Sequence, residues 1–419
     1  MTNDAAQNHP AGNGPALDEG AAPRGPLSDV RVVEMGSLLA GPFCGQLLGD
    51  FGAEVIKIEP PGSGDPMRQW GREKPHGMSL WWPVVGRNKK SVTVNLRVAE
   101  GQELVRALVA KSDIVVENFR PGTLERWNLG YEDLAAINPG VILIRVTGFG
   151  QTGPYAGQAG YGAIGEAMGG LRYISGDPER PPSRIGISIG DALAGTFGTV
   201  GGLVALHARH ATGRGQVVDT AIYEAVLGLM ESLIPEYQLA GYVRERTGSI
   251  LPNVAPSNVY PCADGKMLLI AANQDTVFRR LAGVMGSPEL ADDERFATHS
   301  ARGDHQQELD DLIAAWTATL PEEKVMAALV EAGVPAGRIY TAREMLTDPH
   351  FAARDAIVRL AHPHFGEIAM QNVVPKLSAT PGAVTSPGPE LGQHNDEILG
   401  SLLGIDEAAR SDLAGRGVI

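Results

Sequence analysis

Cysteine is nearly absent, with Cys44 and Cys262 the only two in 419 residues. This excludes a disulfide framework and a cysteine metal site, and it fits a reducing cytoplasm. Basic charge is also in short supply. Lys and Arg total 35 against 49 Asp and Glu, a formal net charge of −14, which argues against general binding to nucleic acid or to an acidic membrane. The best membrane candidate is the uncharged run Ala192–Leu206, and its about fifteen residues fall short of the roughly 20 that a spanning helix needs. Neither a phosphate-loop lysine motif nor a paired-histidine zinc motif occurs, so no metal site is expected. Residues 1–26 are rich in Ala, Gly, Asn and Pro and lack both a basic segment and an apolar core. They read as a disordered tail and not as a signal peptide.

Glycine and proline are plentiful, at 53 and 29 residues. Together they make up about a fifth of the chain, below the roughly 25–30% of low-complexity sequence, so many tight turns are expected. From Val30 onward short β-rich runs alternate with helical patterns. Val30–Met35, Ala53–Glu59, Ser91–Leu96, Asp113–Phe119 and Val141–Gly148 are strand-like, with helices expected over Phe43–Phe51 and Glu103–Lys111. Such alternation implies a mainly parallel α/β sheet. Ligands of such sheets bind beyond the carboxyl ends of the strands, which makes Gly36–Pro42, Asn118–Gly122 and Thr147–Tyr161 candidate site loops. Later, Gly213–Asp219 reads as a strand, Ala221–Leu239 as a helix, Val243–Pro261 as a loop, Lys266–Ala271 as a strand and Leu309–Trp316 as a helix face. The simplest parse is a large domain over 27–240, a smaller α+β domain over 245–345, and a return to the large domain over 351–419.

Asp191 stands alone at the mouth of the apolar run. One reading is a helix N-cap, held ionised by free backbone N–H groups and the helix dipole. The other is a nucleophile, with Gly190 and Gly195 clearing space for a substrate carbonyl. The residues alone leave both open. Two further patterns compete. Gly160–Gly165 satisfies a dinucleotide fingerprint but starts about a dozen residues after the nearest strand. Gly186–Gly190 satisfies a nucleophile-elbow pattern around Ser188, but Pro181, Pro182 and Ser183 make a poor preceding strand, which weakens a serine-hydrolase reading. Arg68, Arg72, Lys74, Arg87, Lys89, Lys90 and Arg97 gather in an otherwise acidic chain. They read either as a solvated turn or as donors for a polyanionic ligand.

From Leu27 to the end, the chain resembles the class III CoA-transferases, the CaiB-BaiF family, most like the branch acting on succinyl-CoA and dicarboxylates. The matching motifs are Leu39-Ala-Gly-Pro-Phe, the run from Gly49 to Asp65, Arg87-Asn-Lys-Lys-Ser, Val116-Glu-Asn-Phe-Arg-Pro-Gly, the run from Thr147 to Pro154, Gly190-Asp and Thr212-Gly-Arg-Gly-Gln. The resemblance implies a Rossmann-like large domain, a small domain and an interlocked homodimer. It implies Asp191 as the nucleophile, passing through an aspartyl anhydride and an aspartyl-CoA thioester. It also implies a CoA cleft lined by Ser37, Leu38, Ala40, Val94, Arg97, Asn118, Phe119, Arg126 and Tyr161, with CoA as substrate and no tightly bound cofactor. Racemases of the family carry a His followed by an acidic residue where this chain has Tyr161-Gly162, so the acid–base pair for exchanging an α-proton is missing. Transfer is therefore favoured over an α-methylacyl-CoA racemase activity. A serine hydrolase and a non-catalytic CoA-binding protein are the alternatives from other classes.

Overall fold

A computed structural model describes residues 25–419, so the expected tail lies outside the described residues except for Gly25 and Pro26. Six strands form the central sheet: β1 (Arg31–Glu34), β2 (Glu54–Glu59), β3 (Lys89–Thr93), β4 (Ile114–Glu117), β5 (Ile142–Thr147) and β6 (Val217–Ala221). Their spatial order is β3-β2-β1-β4-β5-β6, and every neighbouring pair is parallel. A parallel strand covered on both faces reads as a nearly continuous apolar run, and β5 is buried at all six positions. Alternate side chains point to opposite faces. Val32, Val55, Ile114 and Ile144 pack on one face, whereas Val33, Ile56, Val115 and Leu143 pack on the other.

The first face is covered by α1 (Ala40–Asp50) and the second by α2 (Ala99–Val109). After β5 come α3 (Gly162–Met168), α4 (Leu171–Ile174) and the long α5 (Ile189–Thr212), and after β6 come α6 (Ile222–Leu227) and α7 (Leu233–Ala240). Helix α5 is 24 residues long. It is thus longer than the apolar run marked in the sequence, and by length and composition alone it could cross a membrane, with a mean hydropathy of 1.4 over its best window. It lies against α1 and the sheet. A Cβ at Gly195 would come within 2.8 Å of the Ala40 carbonyl oxygen, and one at Gly202 within 2.7 Å of Ile144. The glycines of α5 therefore let it seat closely on its neighbours.

A second, antiparallel sheet comprises β7 (Ser257–Pro261), β8 (Met267–Ala271) and β9 (Ala336–Arg338). With α8 (Asp275–Val284), α9 (Gln306–Thr317) and α10 (Glu322–Glu331) it encloses its own core around Tyr260, Leu268, Phe278, Leu309 and Leu329. A hairpin of β10 (Ile357–His362) and β11 (Gly366–Gln371) follows. The chain then runs along the edge strand β3, where the His394 N–H donates to the Ser91 carbonyl at 3.0 Å and the Asn395 amide donates to Thr93 Oγ1 at 2.8 Å.

Several boundaries differ from those read in the sequence. Ser257–Pro261 is a strand inside the expected loop. It is the edge of its sheet, where proline costs no ladder hydrogen bond. The helix expected over Ala221–Leu239 breaks after Gly228, with Glu231 at φ 50, into α6 and α7. Strand β3 sits two residues earlier than Ser91 because its first residue, Lys89, is a buried cation, which hydropathy alone reads as surface.

Candidate active site

A cavity of about 430 Å³ opens at the carboxyl ends of β1, β4 and β5. In this strand order β1 and β4 are neighbours whose connections leave in opposite directions, the switch point at which doubly wound sheets bind ligands. All three candidate loops contribute to the walls. Of the residues singled out in the sequence, Ser37, Leu38 and Ala40 arrive after β1, Asn118 and Phe119 after β4, Tyr161 just before α3, and Asp191 from α5.

Buried polar contacts set the shape of the first loops. The Ser37 N–H donates to Asn118 Oδ1 and Asn118 Nδ2 donates back to the Ser37 carbonyl, both at 2.8 Å, which ties the β1 and β4 loops together. Leu38 is held at φ 66, a left-handed conformation that is costly for leucine. Its N–H donates to Asp65 Oδ1 at 3.2 Å, and Lys57 Nζ donates to the preceding Gly36 carbonyl. Lys57 also pairs with Asp65 at 2.8 Å and with Glu34 at 3.1 Å. Burial alone would lower the Lys57 pKa, but Asp65, Glu34 and Glu59 outweigh it and hold the ammonium charged.

Three cleft candidates lie elsewhere. Val94 is buried in the sheet core, so its side chain cannot line a cleft. Arg97 and Arg126 are exposed and outside the cavity walls, although the Arg126 guanidinium lies against Gly122, one residue beyond the wall residue Pro121. The basic cluster is likewise mostly engaged. Lys89 is buried against Glu34 and Arg87 against Asp50, the half-buried Arg68 pairs with Glu59, and Lys90 bridges Glu54 and Glu397. These four cations hold the scaffold, whereas Arg72, Lys74 and Arg97 of the same cluster are exposed.

Asp191 is not the helix cap. Ser188 occupies that position, and Asp191 falls in the first turn of α5. Among the described residues no hydrogen bond reaches its carboxylate, contrary to the expectation that backbone N–H groups hold it ionised. Burial pushes its pKa up to about 6, the negative charge of Glu166 adds to the rise, and Arg184 opposes it. The space around it comes from Gly162, where a Cβ would stand 2.2 Å from Asp191 Oδ2. Gly190 and Gly195 do not have the expected role. A Cβ on Gly190 would meet Glu166 at 3.0 Å, and Gly195 serves the seat on α1.

Glu166 went unnoticed in the sequence. It is buried on α3, accepts from Arg172 Nε at 2.8 Å and from the Gly190 N–H at 3.4 Å, and so caps α5 from a neighbouring helix beside Asp191. The available signal was a lone acidic residue in the apolar segment Gly162–Met168, six residues before an arginine. Arg184 was missed for lack of any signal beyond its proximity to Asp191. It lines the cavity and donates to Ser188 Oγ at 3.3 Å.

The competing motifs find no support in this geometry. Among the described residues no strand leads directly into Ser188, and no histidine lines the cavity to serve it as base. The glycines of 160–165 enter α3 directly, well after β5 has ended.

The profile of CoA-transferase family III matches residues 27–395, which includes every wall of the cavity. The chain belongs to that family. It is 65% identical over 397 residues to a succinyl-CoA–D-citramalate CoA-transferase of Chloroflexus aurantiacus, covering 95% of this chain and 99% of the relative. It is 37% identical to a succinate–glutarate CoA-transferase of Agrobacterium fabrum, covering 92% and 97% of the two chains. Among solved structures, a CaiB/BaiF family protein from Brucella suis superposes with a TM-score of 0.81 at 37% identity, covering 90% of this chain and all of the other. This CoA-transferase thus carries a half-buried carboxylate on the wall of the cavity at its strand ends.

Proposed function

We propose that this enzyme moves CoA from succinyl-CoA to a dicarboxylic acid, with Asp191 as the covalent nucleophile. The observation that carries the reading is the Asp191 carboxylate itself, in the cavity wall and without a hydrogen-bond partner among the described residues. A carboxylate that is ionised yet poorly solvated is an effective nucleophile. In the first step an Asp191 oxygen attacks the thioester carbonyl, the C–S bond breaks, and CoA thiolate leaves an aspartyl–succinyl anhydride. The thiolate then attacks the Asp191 carbonyl, which releases succinate and leaves an aspartyl-CoA thioester. An acceptor carboxylate displaces the thiolate to form a second anhydride, and thiolate attack on the acceptor carbonyl yields the new thioester and restores Asp191. Each step exchanges one acyl bond for another, so no metal or redox group is required.

In this reading Ser37, Leu38, Ala40, Asn118, Phe119 and Tyr161 flank the pantetheine arm, and Arg97 and Arg126 serve the phosphate and adenine end outside the cavity. CoA is a substrate and not a resident cofactor. The dicarboxylate class is supported by the relatives, among them those acting with D-citramalate and glutarate. We further propose that the chain works as a homodimer in the cytoplasm. Phe197, Val200 and Val204 form an exposed apolar stripe on the outer face of α5, and on α7 Leu239 is 82% exposed, surfaces that a partner subunit would cover. Interlocking of the two chains follows from the family resemblance. The test offers succinyl-CoA with a panel of mono- and dicarboxylic acids and identifies each new thioester by mass. A new dicarboxylyl-CoA together with released succinate supports the reading. Free CoA formed without any acceptor thioester would move the protein to the hydrolases.

A further inference from the structure

Among the described residues the cavity wall carries three charged side chains, Arg120, Arg184 and Asp191. Arg120 lies on the β4 loop between Phe119 and Pro121, on the side of the candidate pantetheine residues. Arg184 lies on the segment leading into α5, and of the two arginines only its charge bears on Asp191, drawing the carboxyl toward the ionised form. Among the described residues Arg184 has no carboxylate partner. Its one side-chain hydrogen bond goes to the neutral Ser188 hydroxyl at 3.3 Å. A guanidinium presents several fixed donors suited to a carboxylate, and here they belong to a cavity whose one acid, Asp191, makes no hydrogen bond with them.

We propose that Arg184 is the specificity-determining residue that holds the free carboxylate of a dicarboxyl substrate while its other carboxyl group reacts at Asp191. This rests on the transferase reading above and adds the origin of its substrate class. A monocarboxylate of equal length would place a methyl group against the guanidinium and leave that charge unpaired, so discrimination comes from the unmet arginine as much as from the contact made. The same residue serves both halves of the reaction, because donor and acceptor each present a distal carboxylate when they react.

Internal competition isolates this role. The full-length enzyme is given succinyl-CoA and an equimolar mixture of glutarate and pentanoate, and the two product thioesters are counted by mass. Their ratio depends neither on the amount of folded enzyme nor on the donor half-reaction. The wild type should favour glutaryl-CoA, and Arg184→Gln should cut that ratio by roughly tenfold to a hundredfold, the worth of a charge-assisted hydrogen bond. Arg184→Lys, which keeps the charge without the fork, should give an intermediate ratio. A ratio unchanged in Arg184→Gln, however slow the enzyme, overturns the proposal and returns Arg184 to support of the α5 entry. A wild type without preference for glutarate overturns it as well. No thioester from wild type with any acid in the panel overturns the transferase reading itself, and this proposal with it.

Discussion

Two groups of charges flank the same loop of this protein and are treated in opposite ways. Beneath Gly36–Leu39, the side chains of Lys57, Lys89, Glu34 and Asp65 are at most 2% exposed, and each faces an opposite charge at 2.8–3.1 Å. At the cavity wall Asp191 has no such partner, a second carboxylate stands close by, and its acidity is weakened to a pKa of about 6. The paired group fixes a shape, since removing Lys57 leaves Asp65 alone and removing Glu34 leaves Lys89 alone in the interior. The unpaired group stores reactivity, because a carboxylate lacking donors gains most by bonding to carbon. The same residue types thus act as scaffold or as chemistry according to whether their partners are supplied.

The largest expected effect comes from breaking the paired side. Lys57→Met should strand Asp65 in the interior, leave Lys89 as the one partner of Glu34, and destabilise the fold by about 3–5 kcal/mol, which denaturant unfolding would register as a fall in the midpoint at constant slope. Because Leu38 is anchored through Asp65 and Gly36 through Lys57, what remains folded should also bind acyl-CoA more weakly. A mild variant at this position would show that the two regions are less different than their contacts indicate.

Changing the unpaired side should have the opposite sign. Asp191 ionises near its ordinary 3.8 in the unfolded chain and near 6 in the folded one. Between those values the folded state holds the extra proton, so its stability falls as pH rises, and the full cost is present above about pH 6. Asp191→Asn removes that cost. It should raise stability by about 1–3 kcal/mol at pH 8 and by much less near pH 4, as read from unfolding curves at both pH values. Destabilisation at pH 8 would instead mean that the carboxylate has a partner in solution.

A smaller change sharpens the contrast. In the free enzyme kcat/KM for acyl-CoA should fall about tenfold per pH unit below about 6, as the nucleophile becomes protonated. Glu166→Gln keeps a cap for Gly190 but removes the neighbouring charge, so this acid limb should move to lower pH by less than about 1 unit. A limb that does not move would leave Glu166 as a cap alone.

Most of the sheet was legible because parallel strands buried on both faces announce themselves as apolar runs, as Ile142–Thr147 does. The site loops followed from the rule that places ligands beyond strand ends. What escaped was whatever depends on a partner distant in the chain. Lys89 and Arg87 look like surface cations until Glu34 and Asp50, 55 and 37 residues away, fold against them. The Asp191 region was misread locally. Its neighbour Gly190 drew attention as the residue that makes room, whereas Gly162, 29 positions earlier in sequence, provides the space, and Glu166 supplies the charge and the cap from the same short helix. Val94 shows the reverse error, a motif position whose side chain turns into the core.

The claim that the unpaired carboxylate does the chemistry is tested most directly by trapping it. Wild type and Asp191→Asn are incubated with succinyl-CoA and then with hydroxylamine or borohydride, and their peptides are compared by mass. The account predicts modification confined to the wild-type peptide that contains Asp191, with activity lost in proportion. It also predicts that Asp191→Asn folds, binds CoA and transfers it several orders of magnitude more slowly. An unmodified Asp191 in inactivated wild type, or an Asp191→Asn enzyme transferring CoA at near wild-type rate, would contradict it.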